Sequence, residues 1–169
     1  MKVIMYMAIT ANGMIAKTDD DTSWISEEEW NCYSAATRHA KCLVVGRRTY
    51  NILTEQPEFS ELKEVKLVVV TSQDMRLKQD NHLIAHSPKE ALNILNSYDE
   101  IVVAGGGTLN SSFLKEKLVD EIFLDIEPVI LGKGIPLFNG QDFEVNLKLL
   151  GQKKITENEL QLHYKIVKN

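Results

Sequence analysis

Six short runs dominated by Val, Ile and Leu, at residues 3–9, 42–46, 65–72, 101–106, 121–130 and 160–167, set what this chain can fold into. Segments this short and this rich in β-branched side chains read as strands. Their apolar character is nearly continuous rather than alternating, as it is for strands covered on both faces of a parallel sheet. Helix signals fall between the early runs. Ser26 followed by Glu29 is a capping box opening a helix over 26–40; residues 48–53 form a short helix; Ser87, Pro88 and Glu90 open another over 87–96; and residues 110–116 place Phe113 and Leu114 on one side. Strand and helix therefore alternate four times and are followed by strands only. The expectation is one α/β domain over 1–169: a mostly parallel central sheet with helices on both faces, and antiparallel C-terminal edge strands that turn near 156–159.

Composition removes several functions. The 169 residues are 44% hydrophobic and 25% charged, and no run approaches the ~20 apolar residues of a membrane span. The apolar opening alternates and lacks a charged leader and a small-residue cleavage site, so it reads as a first strand and implies a cytoplasmic protein. Cys32 and Cys42 match neither a disulfide framework nor a metal motif, so reduced thiols and no metal are expected. A formal charge of −5 argues against sequence-independent nucleic-acid binding.

Chemistry concentrates where strands run into helices, because helix starts present unpaired N–H groups at the carboxyl ends of parallel strands. Gly46, Arg47, Arg48 and Thr49 combine backbone donors, two guanidiniums and a hydroxyl, a receiver for phosphate. Thr71 and Ser72 put hydroxyls on a second strand tip. Gly105, Gly106 and Gly107, followed by Thr108 and Leu109, let main chain approach a ligand that a Cβ would hold away. The glycine run is neither the dinucleotide fingerprint nor a P-loop.

In order and spacing, VVGRRTYNIL, VVVTSQ and IVVAGGGTLNSSFL resemble the cofactor-binding segments of dihydrofolate reductases, and MAITANGMIA and DTSWISEEEWNCY resemble their first strand and substrate helix. Within that superfamily, GGGTLNSSFLKEKLVDEIFLDIEPVILGKGIPLF is most similar to the reductase domain of bacterial riboflavin-biosynthesis deaminase/reductases and its stand-alone relatives. The resemblance covers nearly the whole chain. It implies NADPH as cofactor, hydride transfer to a small-molecule substrate, and a homodimer, for which residues 126–138 are the candidate interface. Residue by residue, it places Ala8, Ile15 and Ala16 at the nicotinamide. Gly46, Arg47, Arg48 and Thr49 go to the pyrophosphate and, through one arginine, to the 2′-phosphate. Thr71 and Ser72 go to the adenosine end, and Gly105 to Leu109 to the nicotinamide ribose and pyrophosphate. It also implies a cis peptide between the first two glycines.

On the substrate side, counting five residues on from Trp24 reaches Glu29, which shares a helix face with Tyr33. Glu29 is the candidate catalytic acid, with Glu28 the alternative, since all of Glu27, Glu28 and Glu29 suit a helix first turn for electrostatic reasons alone. Trp24 and Tyr33 are candidate substrate contacts, and Asn12 suits a ribose hydroxyl. Met14 stands where riboflavin reductases carry a lysine, which weakens a sugar-phosphate substrate. A true dihydrofolate reductase should offer an arginine to the glutamate tail and would not be expected to carry the 118–138 run. The favoured reading is a riboflavin-type reductase acting on a pyrimidine or pterin-like compound. Dihydrofolate reduction, or NADPH binding without catalysis, is the alternative. The four histidines receive no catalytic role, and Trp30 reads as packing.

Overall fold

The computed structural model describes residues 1–140 and 142–168, and the statements below concern those residues. The chain runs β1 (Lys2–Thr10), β2 (Met14–Ala16), α1 (Glu27–Ala40), β3 (Cys42–Gly46), α2 (Arg47–Leu53), a 3-10 helix (Pro57–Leu62), β4 (Lys66–Val70) and β5 (His82–Ala85). It continues through α3 (Pro88–Ile94), β6 (Glu100–Val103), α4 (Gly107–Lys115), β7 (Glu121–Glu127), β8 (Ile135–Pro136), β9 (Asn146–Lys154) and β10 (Leu160–Val167). Eight strands form one sheet in the order β5-β4-β3-β6-β1-β7-β10-β9, and β2 pairs with β8 in a separate ribbon. Neighbours from β5 to β7 are parallel; β10 runs antiparallel to β7 and to β9. This is the mostly parallel sheet with antiparallel edge strands that the apolar runs imply.

The two faces of the sheet carry separate cores, because successive strand side chains point to opposite sides. On one face Val3, Met5, Met7 and Ile9 of β1 meet Ala91, Leu92 and Leu95 around α3 and Leu109, Phe113 and Leu114 of α4. On the other, Tyr6, Leu43, Val45, Leu67 and Val69 meet Tyr33 and Ala40 of α1, Tyr50 and Leu53 of α2, and Phe59 and Leu62 of the 3-10 helix. Both expected caps form: Ser26 accepts the Glu29 N–H at 3.0 Å and Ser87 the Glu90 N–H at 3.2 Å.

Several boundaries differ from expectation. β4, β6 and β7 stop at Val70, Val103 and Glu127, two or three residues early, leaving their polar and glycine tips as loop. α4 starts at Gly107 instead of residue 110, because glycine at a helix start is read from sequence as loop. β5 was not anticipated; four residues at a sheet edge carry little periodic signal. The 126–138 segment is largely engaged within the chain: Ile126 pairs with Ile9 and Leu160, Leu137 joins the first core, and Ile135 lines the groove described below, while Ile130 is exposed. Exposed apolar side chains also stand on β9, at Leu147, Leu149 and Leu150.

A buried histidine makes the fold sensitive to acid. His82, 3% exposed, shares a hydrogen bond with the Tyr50 hydroxyl through Nδ1 (2.9 Å), and its Nε2 is buried without a partner. Burial, reinforced by Lys66, pulls its pKa below the usual 6.5. The unfolded chain therefore takes up this proton at a higher pH than the folded protein. The stabilisation is complete above the unfolded pKa and is lost as pH falls below it. Urea titrations should lose up to about 1.4 kcal/mol of stability per pH unit on going below about pH 6.5, and His82→Gln should flatten that part of the profile.

Candidate active site

The tips of β3 and β6 are joined by main chain alone. Their ladder extends past the end of β6, along the last residues of β3, through Ala104 N–H to Val44 O (3.0 Å) and Gly46 N–H to Gly105 O (2.7 Å). The Gly105–Gly106 peptide is cis, and Gly105 has φ +82°, a conformation that favours glycine. Gly46 and Gly106 are the N-caps of α2 and α4, and neither supplies a side-chain cap, so the first-turn N–H groups of both helices lack a side-chain acceptor. Thr49 Oγ1 lies 3.5 Å from where a Cβ on Gly106 would sit, which ties the start of α2 to the glycine run. Behind α4, Asn110 Nδ2 donates to Leu137 O (3.1 Å) and Ser111 Oγ accepts the Asn139 N–H (2.8 Å), clamping residues 137–139 across the helix start.

A groove of about 1180 Å³ follows these tips. Thr71, Ser72 and His86 line one end, at β4 and β5. Gly46, Arg47, Arg48, Thr49, Gly106, Gly107, Thr108 and Leu109 line the middle; Ala8, Ile15 and Ala16 follow at β1 and β2, and Glu29 and Tyr33 close the other end. All of these except His86 are sequence candidates. Gly105 does not line the groove; its role is the bond to Gly46. The two arginines part company. Arg48 forks onto both carboxylate oxygens of Asp20 (3.1 and 2.6 Å), whereas Arg47 is exposed and has no ion pair among the described residues. Asp20 sits in the loop between β2 and α1, with φ +71°. His86 Nδ1 lies 2.9 Å from Thr71 O; a carbonyl only accepts, so Nδ1 carries a proton and donates.

Of the two candidate acids, Glu29 lines the groove and Glu28 does not: Glu28 is exposed, while Glu29 is 5% exposed. The reason lies in the cap. In a capping box the third-turn-position carboxylate reaches back to the N-cap N–H. Here Glu127, at the end of β7, takes the Ser26 N–H instead (2.8 Å). The Glu29 carboxyl is thereby left with no protein donor among the described residues. Burial pushes its pKa well above the usual carboxylate value, and the charges of Asp125, Glu127 and Glu159 add to the shift. Asp125 is itself fully buried, held by the Tyr6 hydroxyl (2.6 Å) and by Gln161 Nε2 (2.8 Å), which also donates to the Tyr6 oxygen (2.8 Å). A raised pKa keeps the Glu29 carboxyl protonated to higher pH than an ordinary carboxylate, the state in which it can give a proton.

Two further candidates lie elsewhere. Asn12 is consumed by loop closure: it donates to Leu131 O (2.7 Å) while its side-chain oxygen accepts from Leu131 N–H (3.2 Å) and Thr10 Oγ1 (2.8 Å). Trp24 does not line the groove, and its Nε1 is buried without a partner. Trp30 lines it instead, tilted against Tyr33 at 5.5 Å between ring centroids. The 3-10 helix contributes Glu58 and Glu61, which no motif signalled. Among the described residues no group of His, Cys, Asp or Glu is placed to hold a metal, and no helix is long and apolar enough to cross a membrane.

A glycine-capped groove along the carboxyl ends of this sheet defines the class, a dihydrofolate reductase-like α/β protein. More narrowly, residues 1–160 match the family model described as the RibD C-terminal domain, and the chain belongs to that family. It is 33% identical to the uncharacterized protein YwjB of Bacillus subtilis, over 96% of this chain and 97% of that one. It is 32% identical to dihydrofolate reductase type 1 of Escherichia coli, over 76% and 78%. Its fold superposes on a putative riboflavin biosynthesis protein from Shewanella sp. PV-4 with a TM-score of 0.81, at 20% identity, over 99% of this chain and all of that one. A Thermotoga maritima deaminase/5-amino-6-(5-phosphoribosylamino)uracil reductase matches with a TM-score of 0.73 at 17% identity; the match covers 98% of this chain and 56% of that one.

The clamp at α4 has a measurable cost of disruption. A Cβ on Gly107 would lie 2.4 Å from the Pro136 carbonyl oxygen, whereas one on Gly151 would meet nothing within 4 Å. Gly107→Ala should therefore lose about 1–3 kcal/mol in urea unfolding, and Gly151→Ala should stay within about 0.5 kcal/mol of the parent protein.

Proposed function

We propose that the protein is an NADPH-dependent reductase of the riboflavin type, acting on a pyrimidine or pterin-like ring. The observation that carries this reading is a single groove joining two glycine-capped helix starts and an unpaired Arg47 to a buried carboxyl that no protein group satisfies. The groove is large enough for a dinucleotide and a compact second ligand together. The absent side chain at Gly106, which lines the groove and where a Cβ would meet no protein atom closer than 3.5 Å, fits a ligand that lies against main chain. When bound, NADPH would supply a hydride from its nicotinamide to the carbon of a substrate C=N bond, and one proton must reach the nitrogen.

The chain's own residues provide the rest. Arg47, with Thr49 and the uncapped N–H groups of α2 and α4, receives phosphate; Arg47 is preferred to Arg48 because Arg48 is held by Asp20. Thr71, Ser72 and the donor-fixed ring of His86 bound the adenosine end. Ala8, Ile15 and Ala16 form a flat apolar wall for the nicotinamide, where larger side chains would hold it off. Glu29 orients the substrate ring and delivers the proton.

Fluorescence titration tests the cofactor assignment. Arg47→Ala should weaken NADPH binding by about 1–3 kcal/mol, roughly 5- to 150-fold, with little change for NADH; parent protein binding both cofactors equally would remove the 2′-phosphate role. The acid assignment predicts a pH profile. The protonated form acts and its pKa is raised, so turnover should fall as pH rises through that raised value. Glu29→Gln should lower turnover by about 10²–10⁴-fold and erase this limb.

A further inference from the structure

We infer that the substrate is a compact, amino-substituted nitrogen heterocycle that carries no phosphate and no carboxylate tail. This rests on the reductase reading and narrows it. The substrate end of the groove is walled by Glu27, Glu29, Trp30 and Tyr33 of α1 and by Glu58 and Glu61 of the 3-10 helix. Among the described lining residues the only lysine or arginine side chains are Arg47 and Arg48, both in the first turn of α2 at the middle of the groove. Arg48 already has both oxygens of Asp20. Arg38, the cation of α1 nearest this wall, lies outside the groove and is paired with Glu61 at 2.8 Å, and Lys153 lines a separate depression beside Cys32 and His163. A phosphate or a glutamate tail entering here would meet carboxylates and no free cation.

The deepest group asks for the opposite kind of ligand. Glu29 is nine-tenths buried, faces the groove, and has no hydrogen-bond donor from the protein, because Glu127 occupies the Ser26 N–H that its carboxyl would otherwise reach. In the protonated form its carbonyl oxygen needs an N–H from the ligand and its O–H needs an acceptor, and an exocyclic amino group beside a ring nitrogen supplies both in the spacing of a carboxyl. Trp30 and Tyr33, with Ile52 and Leu53 opposite, give the ring apolar faces to lie between.

The test compares matched pairs. Tryptophan fluorescence measures binding of 6-methylpterin against folate, and of the ribosylaminouracil nucleoside against its 5′-phosphate, on the full chain with and without NADPH. NADPH oxidation is then followed for 6-methyl-7,8-dihydropterin against 7,8-dihydrofolate. The tail-free or phosphate-free member of at least one pair should bind at least tenfold more tightly and, for the dihydropterins, turn over at least tenfold faster in kcat/KM. Glu58→Lys should narrow the pterin-against-folate gap by raising folate affinity more than 6-methylpterin affinity. Equal or better binding of the anionic member in both pairs, or binding of none of the four compounds, overturns the inference. Failure to bind NADPH overturns the reductase reading instead, and the pairwise binding without NADPH still decides the substrate class.

Discussion

A main-chain bond from Gly46 N–H to Gly105 O holds the working end of this molecule together. It continues the ladder from the last residue of β3 to the loop beyond β6, and so fixes the two helix starts that follow, α2 and α4, on either side of one cleft. Gly105 takes φ +82°, which favours glycine, and a Cβ there would crowd Met7 at 3.1 Å, whereas one on Gly46 would make only ordinary contacts, the nearest at 3.5 Å to Gly106 N. The apolar strands beneath supply stability in the usual way, by burying two cores on opposite faces of the sheet. The specificity of the cleft comes instead from polar groups that the core does not need.

Among those groups, Glu127 has an indirect part that changes what a neighbour can do. By accepting the Ser26 N–H it completes the N-terminus of α1 from outside the helix, and the carboxyl best placed for that job is released. A first-turn glutamate that would ordinarily serve the helix dipole becomes a buried, donor-poor acid facing solvent-accessible space. The Tyr6–Asp125–Gln161 triangle behind it keeps the surroundings electronegative and dry. Fold stability and acid chemistry thus meet at the join between β7 and α1.

Much of this architecture was legible in the amino-acid sequence, and the gaps have physical causes. The strand runs were readable because continuous β-branched segments admit few alternatives, and the groove from Ala8 to Leu109 because glycines, arginines and hydroxyls recur at successive strand tips. The choice between Glu28 and Glu29 was not readable, since the residue that decides it lies 101 positions from Ser26. Asn12 has the right chemistry for a sugar hydroxyl, yet a loop 119 residues away claims it. Trp30 and not Trp24 lines the groove, because which indole faces a cleft depends on how the entry loop turns into α1, for which spacing carries no signal. β5 and the start of α4 escaped because a four-residue edge strand and a glycine-initiated helix lack the periodicity by which elements are recognised.

The Asp20–Arg48 pair joins the loop after β2 to the first turn of α2 across the cleft they both line. Both side chains stand in water, 30% and 61% exposed, so dissolved ions screen their attraction. The tether is consequently a soft one whose hold slackens as ionic strength climbs, freeing the loop after β2 from the helix across the cleft.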